Sequence, residues 1–186
     1  MRSLLFVVAA APFFAPFAAG ATGLEIDVAG EAEGTVAIDL FEDVAPAHVE
    51  RITTLAEEGA YDGVVFHRVI DGFMAQTGDV AFGTDPSDLS RAGTGGSDRP
   101  DLAPEFSDRS FTRGTVGMAR SAAPDSANSQ FFIMFEDAPH LDGEYTIVGE
   151  VVGGMDVVDS IKRGSRAANG AVEEAPDRMG EVRVTE

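Results

Sequence analysis

Cysteine is absent from the 186-residue chain, and lysine occurs once, at Lys162. The first absence excludes a disulfide framework, a thiolate zinc site and a lipid-modified N-terminal cysteine. The second belongs to a wider shortage of positive charge: 13 Lys and Arg stand against 32 Asp and Glu, a formal net charge of -19. Nucleic acids and anionic membranes both require basic patches, so neither is an expected partner. The acidic surplus fits a solvated surface that keeps the chain soluble. The spacings of several common chemistries are also missing. His48, His67 and His140 share no H-x-x-x-H spacing, and Arg68 beside His67 disfavours a second cation there, so no metal is expected. No G-x-S-x-G elbow is present for serine hydrolysis. "AGTGG" (92–96) has the glycines of a phosphate cradle but no following Lys-Ser/Thr and no helix start, and is expected to be a flexible loop.

What is present begins with the N-terminal segment "MRSLLFVVAAAPFFAPFAAGATG". One positive residue, Arg2, precedes an apolar stretch from Leu4 to about Ala19, and Ala19-Gly20-Ala21 fits a small-x-small cleavage site. Pro12 and Pro16 interrupt the stretch, which is short of the ~20 apolar residues of a spanning helix. Residues 1–21 are expected to be a cleaved secretory signal rather than a retained anchor. Residues 22–186 would then work outside the cytoplasm, in the periplasm or beyond. With no low-complexity linker and no internal repeat, that length suits one domain with a real core.

Strands are expected over 24–30 and 33–43, where Val36, Ile38 and Leu40 alternate with Ala37 and Asp39. A helix is expected over 45–63, with Pro46 in its first turn, Val49, Ile52 and Ala56 at helical spacing and Gly59 as a stop. "VVFHRVI" (64–70) is the next strand. Residues 81–110, rich in Gly, Asp, Ser and Pro, form a long ordered surface loop. Short strands follow at 114–120, 129–136 and 145–152, then a helix over 155–164 and a last strand over 180–186. Many strands with two helices, and no strand–helix alternation, point to an antiparallel barrel or sandwich.

The chemistry left to the chain lies in unreactive groups. In "SQFFI", alternation puts Gln130 and Phe132 on one face and Phe131 and Ile133 on the other. One pair lines an outer groove while the other fills the interior, or Phe132 is core and Gln130 a rim residue; the motif alone does not choose. Arg68 shares a face with Phe66 and Ile70 in the expected strand. It serves either a structural salt bridge or a site, and both need paired hydrogen bonds, for which Gln76 is one candidate.

"FHRVIDGFMAQTGD", "GTGG", "GTVGMAR", "NSQFFI" and "HLDGEYTIVGEV", in this order and spacing, resemble the cyclophilins, the cyclosporin-type peptidyl-prolyl cis-trans isomerases. The match runs from about Gly34 to Val184 and is similar above all to the bacterial secreted branch. The resemblance implies a mainly β fold, a closed eight-stranded antiparallel barrel capped by two α-helices, with a proline groove on its outer wall. It places the family's catalytic groups on Arg68, Gln76 and Phe132. Substrate-binding positions fall on Phe73, Met74, Ala119, Arg120, Gln130, His140, Leu141 and Tyr145, with Arg120 acting through its backbone. His140 and Tyr145 replace a tryptophan and a histidine of the best-known eukaryotic pattern. Only weak cyclosporin binding is therefore implied, since an indole donor and a broad apolar face are gone.

The implied activity is rotation about X-Pro bonds in exported or folding proteins, without metal or cofactor, by a monomer acting on proline-containing polypeptides. Such chemistry suits these residue types, because no bond is made or broken. Two rivals remain at this level. One is a peptide-binding or chaperone module that has lost turnover, against which the intact Arg68, Gln76 and Phe132 set argues. The other is a barrel enclosing a small ligand, against which the large apolar interior argues.

Overall fold

The computed structural model describes residues 22–85 and 87–186; the expected signal segment lies outside the described residues. Eight strands form one antiparallel sheet: β1 (Gly23–Ala29), β2 (Gly34–Leu40), β3 (Arg68–Ile70), β4 (Met74–Thr77), β5 (Thr115–Met118), β6 (Phe131–Met134), β7 (Ile147–Gly153) and β8 (Arg178–Thr185). Two helices accompany them, α1 (Pro46–Glu57) and α2 (Met155–Ser160). The strand order is β3-β4-β6-β5-β7-β2-β1-β8.

The alternation that predicts β1 and β2 also sets their register. Leu24, Ile26 and Val28 face inward while Glu25 and Asp27 face out, and Leu24 pairs with Ile38 and Ile26 with Val36. A one-residue slip would turn this apolar row into water, so the register is fixed by burial. The helix ends earlier than expected, at Glu57; Gly59 follows with a φ of +68°, the left-handed conformation that a side chain disfavours.

Helix α1 has Pro46 in its first turn and no side-chain cap of its own. Its cap comes from the long loop. Glu105 accepts from the Ala47 and His48 amides (3.2 and 3.1 Å) and sits 2.6 Å from His48 Nδ1. Burial works against the Glu105 carboxylate, but the bonds from the His48 ring and from these amides outweigh it and hold its pKa below the usual range.

The sheet curls but does not close. Its ladder ends at β3 on one side and β8 on the other, and ahead of β3 the chain meets β8 at an isolated bridge, Val65 to Arg178. The closed barrel implied by the resemblance is corrected to an open, curled sheet. The reason lies in β3, which is three residues long. The outer edge of β3 is taken by the 161–177 segment: the Val69 amide donates to the Gly170 carbonyl and the Gly164 amide to the Val69 carbonyl. Bonds from Phe66 to Asp177 and from Met179 to Val64 stitch the remaining seam.

Two apolar clusters result. The larger fills the inside of the curl and includes Ile26, Ile38, Phe66, Val69, Phe131 and Ile133. The smaller lies on the outer face and joins Met74, Phe111, Phe132, Met134, Leu141 and Ile147. Strand β6 therefore feeds both, Phe131 and Ile133 inward and Phe132 and Met134 outward. Phe66 is a correction: it does not share the face of Arg68 but packs inside with Val69. The ladder begins only at Arg68, so the two-residue alternation is not carried through His67.

Candidate active site

Strand pairing builds the centre of the site. Arg68 on β3 stands opposite Gln76 on β4, and Gln76 opposite Phe132 on β6. Arg68 Nη1 donates to Gln76 Oε1 at 3.1 Å. From the other side, Arg68 Nε donates to the Asn169 carbonyl at 3.0 Å and Nη2 to Asn169 Oδ1 at 3.3 Å. The guanidinium is thus fixed on both flanks, with N–H donors left over for a ligand. Burial lowers its pKa, yet an arginine so placed remains a cation.

The sequence offers no direct sign of Asn169. It lies exposed in "AANGA", beyond all the motifs of the resemblance, and has a φ of +53°. The only available hint is the Asn-Gly dipeptide, which marks a turn in the left-handed region.

The same bonding continues away from Arg68. Gln76 Nε2 donates to Gln130 Oε1 at 2.9 Å, and Gln130 Nε2 donates to the Gly95 carbonyl at 2.8 Å. Because arginine only donates, each amide in this row has one permitted orientation. Gly95 is itself held: its amide and that of Gly93 donate to the buried Asp79 carboxylate at 2.9 and 2.7 Å. "AGTGG", expected to be flexible, is instead an anchored wall.

Below Arg68 lies an apolar floor. Phe132 stacks on Phe111 with ring centroids 5.9 Å apart and meets Tyr145 edge-on at 5.9 Å. Gly117 makes the stack possible, since a Cβ there would lie 2.6 Å from Phe132 and 2.7 Å from Phe111. A pocket of about 160 Å³ opens over this floor, lined by Arg68, Phe73, Met74, Gln76, Ala119, Arg120, Phe132, Leu141 and Tyr145. A larger, more polar pocket of about 460 Å³ adjoins it and shares Gln76, Ala119 and Arg120; Gln130, Gly93, Gly95, Asp101 and Asn128 are among its other walls. Of the residues singled out in the sequence, nine line the smaller pocket and Gln130 the larger. His140 lines neither; it is exposed at the rim and stacks on Phe73 at 5.8 Å.

His67 follows Phe66 inward and packs against Gly93. Burial pushes its imidazole down to about 4, with the Asp79 carboxylate pulling the other way, so it is neutral at pH 7. Among the described residues no three His, Asp or Glu side chains gather as a metal cage requires.

A small apolar pocket under a fixed guanidinium matches the outer groove implied by the motifs, and comparison with known proteins decides the family. The family model described as cyclophilin type peptidyl-prolyl cis-trans isomerase/CLD matches residues 24–184. The chain belongs to this family and is a peptidyl-prolyl cis-trans isomerase. A probable peptidyl-prolyl cis-trans isomerase of Brucella suis is 62% identical over 149 residues, covering 79% of this chain and 76% of the relative. A peptidyl-prolyl cis-trans isomerase of Helicobacter pylori is 42% identical over 135 residues, covering 71% of this chain and 77% of the relative. The crystal structure of a cyclophilin from Hirschia baltica has a TM-score of 0.70 at 25% identity and covers 87% of this isomerase and 73% of that chain. A Cryptosporidium parvum cyclophilin type peptidyl-prolyl cis-trans isomerase, crystallised in the presence of the dipeptide Ala-Pro, has a TM-score of 0.74 at 24% identity. It covers 88% of this isomerase and 99% of that chain, a likeness of fold.

Proposed function

We propose that the isomerase turns proline-containing polypeptides in the pocket over Phe132, with Arg68, Gln76 and Phe132 as its catalytic set. The doubly anchored guanidinium of Arg68 carries this reading. An X-Pro bond resists rotation because its nitrogen shares a lone pair with the carbonyl, a barrier of ~18–20 kcal/mol. At the twisted transition state the nitrogen becomes pyramidal and accepts a hydrogen bond, which it cannot do when planar. A fixed cationic donor binds that state more strongly than either ground state. Arg68 is such a donor, held by Gln76 and Asn169 so that little reorganisation accompanies the reaction.

Phe73, Met74, Phe132 and Leu141 give the proline ring an apolar seat beside the guanidinium. Ala119, Tyr145 and the Arg120 backbone border the path of the neighbouring chain, and Gln130 lines its continuation. The presence of Ala-Pro in the Cryptosporidium parvum crystals supports the same substrate class. Uncatalysed exchange takes tens to hundreds of seconds. Bringing it to about a millisecond needs a factor of ~10⁵, about 7 kcal/mol.

The setting proposed is extracytoplasmic, as in the bacterial secreted branch, acting as a monomer on exported proteins after loss of residues 1–21. The Arg2, apolar and small-x-small succession supports this. Among the described residues no helix is long and apolar enough to cross a membrane. Exchange NMR on a short proline peptide, with and without the protein, tests the site. Line broadening between the cis and trans signals is expected. Binding without exchange would instead establish a peptide-holding module.

A further inference from the structure

We infer that the Arg120 side chain makes this groove selective for an acidic residue, Asp or Glu, close to the proline. The inference rests on the isomerase reading of the same pocket and adds a substrate class to it. Sequence reasoning assigned position 120 a backbone contact and left its side chain without a task. The structure folds that side chain across the groove edge.

Arg120 is set apart by its place: it lines both pockets and pairs with no carboxylate among the described residues. The chain carries 32 carboxylates against 13 cations, so an arginine has many opportunities to pair. Arg99, Arg113, Lys162, Arg163, Arg166 and Arg183 each find a carboxylate within 4.0 Å. Arg120 finds none among the described residues, and neither do Arg51, Arg68, Arg91, Arg109 and Arg178. Its Nη1 donates to the Ser121 carbonyl at 3.1 Å and its Nη2 to the Glu144 carbonyl at 2.9 Å. The guanidinium carbon lies 4.3 Å from the centre of the Tyr145 ring, and Nε is buried without a partner. The group is held in place by neutral contacts that leave its charge uncompensated. A guanidinium ordered in advance loses little freedom when it captures an anion.

Its position decides which anion. Arg120 belongs to the wall common to both pockets, beside Gln76 and Ala119. With the proline ring over Phe132, a neighbouring residue leading into the larger pocket passes this guanidinium. Arg68 is the other cation of the small pocket, and the transition state occupies its free donors. Asp101 is the carboxylate of the larger pocket; it accepts from Asn128 Nδ2 at 2.9 Å and does not line the smaller one. Favour for an acid is therefore confined to positions next to proline. At greater distance the charge of -19 repels the same group.

Amidated peptides with one proline, carrying Glu or Gln at each of the two positions before and after it, test this. A further pair places Glu or Gln four residues away. The expected result at low salt is a kcat/KM for Glu over Gln of about fivefold at one adjacent position, the size of a partly exposed ion pair. The ratio should approach one in ~0.5 M salt. The remote Glu should give no gain. Arg120→Gln should bring the adjacent ratio to one and Arg120→Lys should keep part of it. A Gln peptide ending in a free carboxylate at the favoured distance shows whether a chain terminus serves as well as a side chain. A wild-type ratio of one, or a ratio unchanged in Arg120→Gln, overturns the inference. If the variant does not fold, the wild-type ratio and its salt dependence decide. Failure to accelerate even the Gln peptides would refute the isomerase reading itself.

Discussion

Arg68 and Asn169 lie 101 residues apart in the chain and meet through two hydrogen bonds, one to the Asn169 carbonyl and one to its side-chain oxygen. With Gln76 on the opposite flank, this contact turns a flexible arginine into a fixed donor. Arg68→Ala is expected to lose at least ~10²-fold in turnover, the usual cost of deleting an electrostatic donor. Its secondary structure by circular dichroism should be unchanged. Wild-type turnover in the variant would refute the mechanism, and unfolding would return Arg68 to a structural role.

Asn169→Gly isolates half of the Asn169 contact. Glycine accepts the φ of +53° without strain and keeps the carbonyl acceptor, while the side-chain oxygen is lost. One hydrogen bond from a charged group, about 1.5 kcal/mol, predicts a fall in kcat of about tenfold. KM should move little, because the apolar seat is untouched. A change confined to KM would show that Asn169 shapes binding rather than the donor.

The rim residue His140 allows a test with cyclosporin, a large, mostly apolar ring peptide with few donors. Stacked on Phe73, it offers a smaller and more hydrated ring than tryptophan. His140→Trp is expected to tighten cyclosporin binding at least ~10-fold, from an added donor and added apolar contact. Peptide turnover should change only slightly, since His140 does not line the pocket over Phe132. Titrating both proteins with the drug checks this, and equal affinities would place the rim outside the drug's footprint.

Buried His67 sets a pH dependence. Its pKa is about 4 in the fold against the ordinary 6.5 of a solvated imidazole, chiefly from burial. Between these values the unfolded chain binds a proton that the folded chain refuses, so stability is full above about 6.5 and declines as pH falls toward 4. The gap corresponds to about 3 kcal/mol. Urea unfolding at a series of pH values should show a steeper acid loss for wild type than for His67→Phe. Parallel curves would mean that His67 is solvated or partnered in solution.

The proposed export predicts a mature N-terminus near Ala21, which mass spectrometry of the protein made in its cells checks. An intact Met1 on membrane-bound protein would establish an anchor instead.

How far the sequence carried depended on whether a residue's neighbours were local. The period-two rows of β1, β2 and β6 are dictated by burial on one or both faces, and they folded as written. The strand β4 was missed because Met74, Ala75 and Gln76 lack the β-branched residues that advertise a strand; pairing with β3 and β6 holds it extended. The inward turn of Phe66 depends on where the ladder starts, which is settled by the 161–177 segment rather than by residues 64–70. In the site, Arg68, Gln76 and Phe132 were legible from a resemblance carried by contiguous motifs. Asn169 was not, because its partner is 101 residues away and its own surroundings say only that the chain turns. The fate of the Arg120 side chain was equally closed to inspection, since Tyr145 and the Glu144 carbonyl reach it from another loop.

The cap that Glu105 places on α1 bears on the order in which the molecule assembles. A twelve-residue helix is marginal in isolation, and this one starts with Pro46 but without a side-chain cap of its own. Its first-turn amides are satisfied only after a carboxylate 57 and 58 residues downstream has been brought home, across a stretch that includes the strands β3 and β4 and the Asp79-anchored loop. The helix is thus expected to form late in folding rather than to nucleate it. Contact order is built into its first turn, and amide exchange there reports the opening of the domain rather than the fraying of a helix end.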